Sequence, residues 1–279
     1  MSKTIQAFKA GITLIGLPLV ADSVYQRRIE KKGGWELRIP VLHAYLPQAS
    51  SSNIPATVDL PVVKSKLLKK QNLHFNVMKE YYPMYIAGRT KKGNLVYYEE
   101  MGNINMPKLH SRGVTVPTLL DHYECSTLFA FEVLHPSDAA QMLSIFDAEG
   151  CSFKELKGDA MKFMKTASNK MQMDYAHRNC GVMVVNCPSW IATGWRALVK
   201  MRLFSAETIS KTKILSKEDT FEGLLEKIDE DQIPKKYGGK LSFNGGISGD
   251  DNCRRWSTDE VRLRDWVMSQ PHNKDQVNV

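Results

Sequence analysis

The chain has no C-x-x-C pair among its five cysteines, at positions 125, 151, 180, 187 and 253, and no Asn-x-Ser/Thr sequon. An odd, scattered set of thiols argues against a disulfide framework and a cysteine zinc site. It fits reduced cysteines in a cytosolic protein, most of them small buried hydrophobes. The seven histidines lack metal-ligand spacing. G-x-S-x-G is missing, so no tight turn exposes a hydrolase serine. The phosphate loops G-x-x-x-x-G-K-[ST] and G-x-G-x-x-G are missing as well, and no internal repeat is present. No active site is legible, though an enzyme whose site does not show in the sequence stays an alternative.

What is present is ordinary globular material. Of 279 residues, 43% are hydrophobic and 24% charged, enough for one large domain or two small ones. The net charge of +8 and a pI near 9.1 suit an anionic partner: phosphate-bearing lipid, membrane surface or nucleic acid. Residues 1–75 form a divergent N-terminal segment and linker. Within it "AGITLIGLPLVA" (10–21), behind Lys3 and Lys9, is too short to span a bilayer. It has the length of a signal-peptide core, with Ala21 and Ser23 as small residues after it, but Pro18 and two glycines dilute it. A packed or membrane-touching segment is the preferred reading. "LPQASSSNIPATVDLP" (46–61) is linker, and "KSKLLKK" (64–70) is a solvated helix face or a membrane-surface contact.

Regular patterning starts near residue 80. "YYPMYIAGRTKKGNLVYYEEMG" predicts two strands joined by a turn at Lys91 to Asn94. Thr115 is placed to cap a helix in which Leu120, Tyr123, Thr127, Phe131 and Leu134 share a face, closed by Pro136. "QMLSIFD" (141–147) is a strand. "SFKE" (152–155) is a capping box, and its helix would run with Phe153, Leu156, Ala160, Phe163, Ala167 and Met171 on one face. Asp147 and Glu149, at a strand's end, are read as turn and capping residues. "GVMVVN" (181–186) is a buried strand, "SWIATGWRALVKMRLF" a helix, "KILS" (213–216) a short strand and 221–228 an amphipathic helix. The alternation makes the class α/β with a mostly parallel sheet. Then Pro234 blocks further helix, and Gly238 and Gly239 permit a tight turn behind Tyr237.

The segments "YYPMYIAGRTKKGNLVYYEEMGNIN", "FDAEGCS", "VMVVNCP", "TISKTKIL" and "IPKKYGG" resemble, in order and spacing, a CRAL-TRIO lipid-binding domain of the phosphatidylinositol transfer protein type. The resemblance sets the domain at 76–243, with a C-terminal tail at 244–279. It implies a sheet flooring an apolar lipid cavity, a movable gate helix and a structural role for the Pro-x-x-Tyr-Gly-Gly turn. The gate falls within Trp195 to Phe204, with Trp195, Leu198, Val199, Met201 and Phe204 toward lipid and Arg196 and Lys200 on another face.

The resemblance also implies the headgroup residues. Thr208 and Lys211 of "TISK" match the pair that holds an inositol-lipid phosphate. His177 stands where the family has an inositol-binding glutamate, which weakens the case for inositol. Ser144 matches a choline-lipid phosphate position, but its companion is Met142. The implied ligand is one phospholipid with no other cofactor, and the implied partner is an anionic membrane surface met transiently from the cytoplasm. A signalling or trafficking partner, or a neutral lipid such as a sterol, tocopherol or retinoid, is the alternative. Nucleic acid is not expected. In the tail, Arg254, Arg255, Arg262 and Arg264 interleave with Trp256 and Trp266. This patch either touches headgroups or nucleic acid, or straps onto the domain.

Overall fold

The computed structural model describes residues 74–137, 139–152, 158–200, 206–243 and 257–269. Helix α1 (Phe75–Tyr81) leads through Pro83 into strand β1 (Met84–Arg89). The turn expected at Lys91 to Asn94 forms a hairpin, with Thr90 N donating to Asn94 O at 2.9 Å and Gly93 at φ +80°. Strand β2 (Leu95–Glu100) returns antiparallel to β1, and all six of its residues are buried.

Helices α2 (Met106–Ser111) and α3 (Val116–Phe129) follow. Thr115 caps α3 by accepting from Thr118 N, and a π-helical turn, Ala130–Leu134, ends it ahead of Pro136. Strand β3 (Met142–Asp147) is next.

The helix expected to run unbroken from a capping box at Ser152 is interrupted. Residues 153–157 lie outside the described set. Helix α4 (Gly158–Tyr175) begins at a glycine whose φ of +71° no right-handed helix carries. Ala160, Phe163, Ala167 and Met171 do share the inner face. Strand β4 (Asn179–Val185), helices α5 (Ser189–Lys200) and α6 (Ala206–Lys211), strand β5 (Thr212–Ile214) and helix α7 (Thr220–Leu225) complete the alternation.

Among the described residues the sheet has five strands in the order β1-β2-β3-β4-β5, with β2 to β5 parallel. Strands adjacent in sequence are adjacent in the sheet. Right-handed crossovers therefore put all connecting helices on one face. There Leu119, Phe163, Ile191 and Trp195 pack with Met142 and Val184 of the sheet. The opposite face is left for α7 and the turn after it, where Leu224, Ile228, Ile233 and Tyr237 cover Tyr98 and Ile145.

The tail forms helix α8 (Thr258–Ser269), and it straps onto the domain. Leu263 and Val267 join Phe75 and Phe129 in a third apolar cluster, and the Trp266 ring lies 5.7 Å from that of Phe129. Trp256, Arg254 and Arg255 lie outside the described residues, and no helix among the described residues is long and apolar enough to cross a membrane.

Candidate functional site

Strand β3 lies between β2 and β4, so a closed packing of helices and sheet would seal both of its faces. On the α7 face Leu143, Ile145 and Asp147 are indeed buried. On the other face Met142 is buried, but Ser144 and Phe146 are only half-buried. This part-accessible face over the middle of the sheet, under the helix layer, is the candidate recess. Tyr123, Tyr175, Trp190, Val199 and Ile209, on the same face, are half-buried as well. Uncovered apolar side chains on an interior face form the kind of concave, mostly apolar site that takes a small ligand.

The register places the sequence-derived site residues. Tyr97, Ser144, Val182 and Thr212 stand opposite one another on successive strands. At about 4.8 Å per strand, the Ser144 backbone is about 10 Å from that of Thr212. Lys211 immediately precedes Thr212, ends α6 and is exposed. Thr208 lies three residues earlier in α6, its side chain outside the described set. His177 is exposed in a single turn, Ala176–Arg178, ahead of β4, and its carbonyl accepts from Gln141 Nε2 at 3.1 Å. Ser144 is thus on the floor, while Lys211 and His177 lie toward the end where β3, β4 and β5 begin.

Helix α5 is amphipathic across this recess. Trp195 is buried in the core and Val199 half-buried against it, whereas Arg196 and Lys200 are exposed. Arg196 Nη2 donates to Thr193 Oγ1 at 3.2 Å, one turn back along the outer face. Met201, Phe204 and the side chain of Leu198 lie outside the described residues.

The other ends of the strands carry a second polar cluster, and it is sealed. Lys236 Nζ reaches Glu100 Oε1 at 2.9 Å and Asp147 Oδ2 at 2.6 Å, with all three side chains under a tenth exposed. Asp147 also accepts from Tyr237 Oη at 3.1 Å, Asn186 Nδ2 at 3.0 Å and Glu149 N at 2.9 Å. Glu149, half-exposed, pairs with Lys217. Asp147 is therefore more than a turn residue. It anchors the Pro234–Gly239 turn, whose tyrosine stacks on Tyr98 at 5.4 Å. Gly238 takes φ +92°, and a Cβ on Gly239 would sit 2.1 Å from Ile233 O. Such carboxylates are neutralised anchors with no room for a substrate.

Sequence reasoning missed Glu99. It is 4% exposed, shares the recess face with Tyr97, and accepts from Tyr97 Oη at 2.7 Å. Burial pushes its carboxyl up to about 7, an effect partly offset by the Tyr97 and Tyr82 hydroxyls beside it. A Glu-Glu pair at a strand's end carries no local sign of burial. Among the described residues no cluster of His, Cys, Asp and Glu is arranged to hold a metal.

SEC14 cytosolic factor of Candida glabrata is 28% identical over 192 residues, covering 64% of this chain and 61% of that protein. Sec14 cytosolic factor of Schizosaccharomyces pombe is 28% identical over 191 residues, covering 63% of each. The chain thus spans about three fifths of the length of these curated relatives. A crystal structure of Sfh5 aligns at a TM-score of 0.45 and 17% identity, over 64% of this chain and 63% of that one. The CRAL/TRIO domain model matches residues 79–239, a span holding all five described strands and the Pro234–Gly239 turn, and the chain belongs to this lipid-binding family.

Proposed function

We propose that the recess holds one phospholipid of the phosphatidylinositol type, and that the protein transfers or presents it between membranes without transforming it. The observation that carries this reading is the half-exposure of Ser144 and Phe146 on the central strand. Acyl chains laid on that floor regain roughly 25 cal/mol for each Å² of apolar surface they cover. Lys211 at the rim supplies an ammonium for the headgroup phosphate, and Thr208 is the hydroxyl that the family resemblance pairs with it. His177 replaces a carboxylate that would bond inositol, so preference among anionic headgroups is weak, and Ser144 is the subsidiary polar contact.

Helix α5 and the residues after it act as the gate. Trp195 and Val199 form its lipid side, to which the family resemblance would add Leu198, Met201 and Phe204, while exposed Arg196 and Lys200 meet an anionic surface. The protein works from the cytoplasm, docks on membranes transiently and needs no cofactor besides its lipid.

Native mass spectrometry of gently purified protein tests this, with about one phospholipid expected per chain. Lys211→Ala should weaken phosphatidylinositol binding roughly tenfold, since a hydrogen bond to a charged group is worth about 1.5–3 kcal/mol. An empty chain under all mild conditions, or equal binding by the two proteins, overturns the reading. Recovery of only a sterol, tocopherol or retinoid replaces the ligand class. A signalling protein recovered without lipid makes the fold an interaction module.

A further inference from the structure

Helix α8 is docked on β1 by its first turn. Ser257, 4% exposed, caps the helix: its Oγ accepts from Glu260 N at 3.1 Å and donates to Ile86 O at 2.5 Å. Glu260 Oε1 accepts from Ile86 N at 2.7 Å, and its other oxygen pairs with buried Lys79. Ser257 and Glu260 thus satisfy both backbone groups of Ile86, as a neighbouring strand would. Asp259 adds a half-exposed pair with Arg89 at 2.7 Å. Leu263 and Val267 then cover Phe75 and Phe129.

The Ser257 hydroxyl has no room for substitution while α8 is docked. A phosphate there would press against the Ile86 carbonyl and the Glu260 carboxylate, both of which repel a dianion. A phosphate at a helix N-terminus stabilises the helix itself, so the conflict falls on the docking alone. In sequence, Ser257 follows "RRW", with Arg254 and Arg255 three and two residues before it. Paired arginines at that offset suit the acidic substrate groove of an arginine-directed serine kinase.

We propose that Ser257 is a phosphorylation site and that its modification releases α8 from β1. The Ser257 Oγ attacks the γ-phosphorus of ATP bound to the kinase, forming the Oγ–P bond. The bond from that phosphorus to the bridging oxygen breaks, ADP leaves, and the hydroxyl proton passes to a base on the kinase. Because the hydroxyl is buried in the docked state, transfer occurs on chains whose α8 is undocked, and the phosphate prevents its return.

The test incubates the full chain with an arginine-directed serine kinase and magnesium ATP, then maps phosphate by peptide mass spectrometry. Phosphate is expected on Ser257 and not on exposed Thr258. Arg254→Ala/Arg255→Ala should slow the reaction at least tenfold. Arg89→Ala, which removes the pair with Asp259 and a local bond to Gly88 O but no other α8 contact described above, should speed it roughly two- to fivefold by populating the undocked state. In the phosphorylated chain, hydrogen exchange at the Ile86 amide and across residues 260–267 should accelerate at least tenfold. No phosphate on Ser257 in either wild type or Arg89→Ala, or phosphate on Thr258 alone, overturns the site. Phosphorylated Ser257 with exchange at Ile86 unchanged overturns the release.

Discussion

Glu99 shares a sheet face with Ser144 and Phe146 and stands opposite Phe146 in the β2–β3 register. Its carboxyl is held up to about 7 by burial, against an ordinary value of 4.5. Below pH 4.5 it is protonated whether the chain is folded or not, and its stabilising contribution is complete. As pH rises from 4.5 through 7, the unfolded chain releases this proton first, so stability falls by about 3 kcal/mol across the window. Buried His122 acts the other way. Burial drives its pKa well below 6.5, so acidification through 6.5 charges only the unfolded state and weakens the fold. Comparison of wild type with Glu99→Gln isolates the carboxyl, because the amide still accepts from Tyr97 and His122 is common to both. Urea unfolding at pH 5 and pH 8 should show Glu99→Gln gaining about 3 kcal/mol on wild type between the two conditions. Parallel profiles for the two proteins would mean that Glu99 carries no such burden.

The Pro234–Gly239 turn shows how far one short element can be deduced. Pro234, Gly238 and Gly239 announce a sharp reversal, and Gly238 at φ +92° matches what a glycine there permits. The partners that hold the turn were not legible, because Glu100 and Asp147 lie far away in sequence and resemble ordinary charged strand ends. With Lys236 removed, both carboxylates would stay buried without a cation. Lys236→Ala should therefore cost about 3–5 kcal/mol, read as a lowered midpoint in chemical denaturation. A loss under 1 kcal/mol would show that water reaches the carboxylates.

The same division holds elsewhere. Thr115 at the start of α3, the hairpin and the alternation of β3, α4 and β4 were readable because caps, turns and periodicity are local. The break at Gly158 was not, since apolar spacing continues across a glycine whatever its φ. The half-burial of Ser144 and Phe146 was not legible, because it depends on helices that never quite close over them.

The tail was the part of the chain whose place the sequence left open, and contacts between distant segments settle it. Ile86 and Glu260 are 174 residues apart, yet they share a hydrogen bond at 2.7 Å, and Glu260 pairs with Lys79, both side chains 1% exposed. Burial holds the Glu260 carboxyl above the usual range even with Lys79 beside it. A pair buried this deeply is weak support for net stability, because desolvating two charges offsets most of their attraction. Breaking it from one side is another matter. Glu260→Gln leaves Lys79 buried without an anion, although its amide oxygen can still accept from Ile86 N, and should cost about 3–5 kcal/mol. Lys79→Met strands the carboxylate and should cost a similar amount. The double variant Lys79→Met/Glu260→Gln removes both charges while its amide oxygen still accepts from Ile86 N. Lys79 also donates to Met84 O at 2.9 Å, a bond the double variant loses. Its net cost should therefore stay near 1 kcal/mol, well below the sum of the two single changes. Urea denaturation of the four proteins forms a double-mutant cycle across the helix–strand contact. A large favourable coupling places the tail helix inside the cooperative unit of the domain. Additive losses, or single changes that cost nothing, would mean that α8 of the unmodified chain detaches before the sheet unfolds.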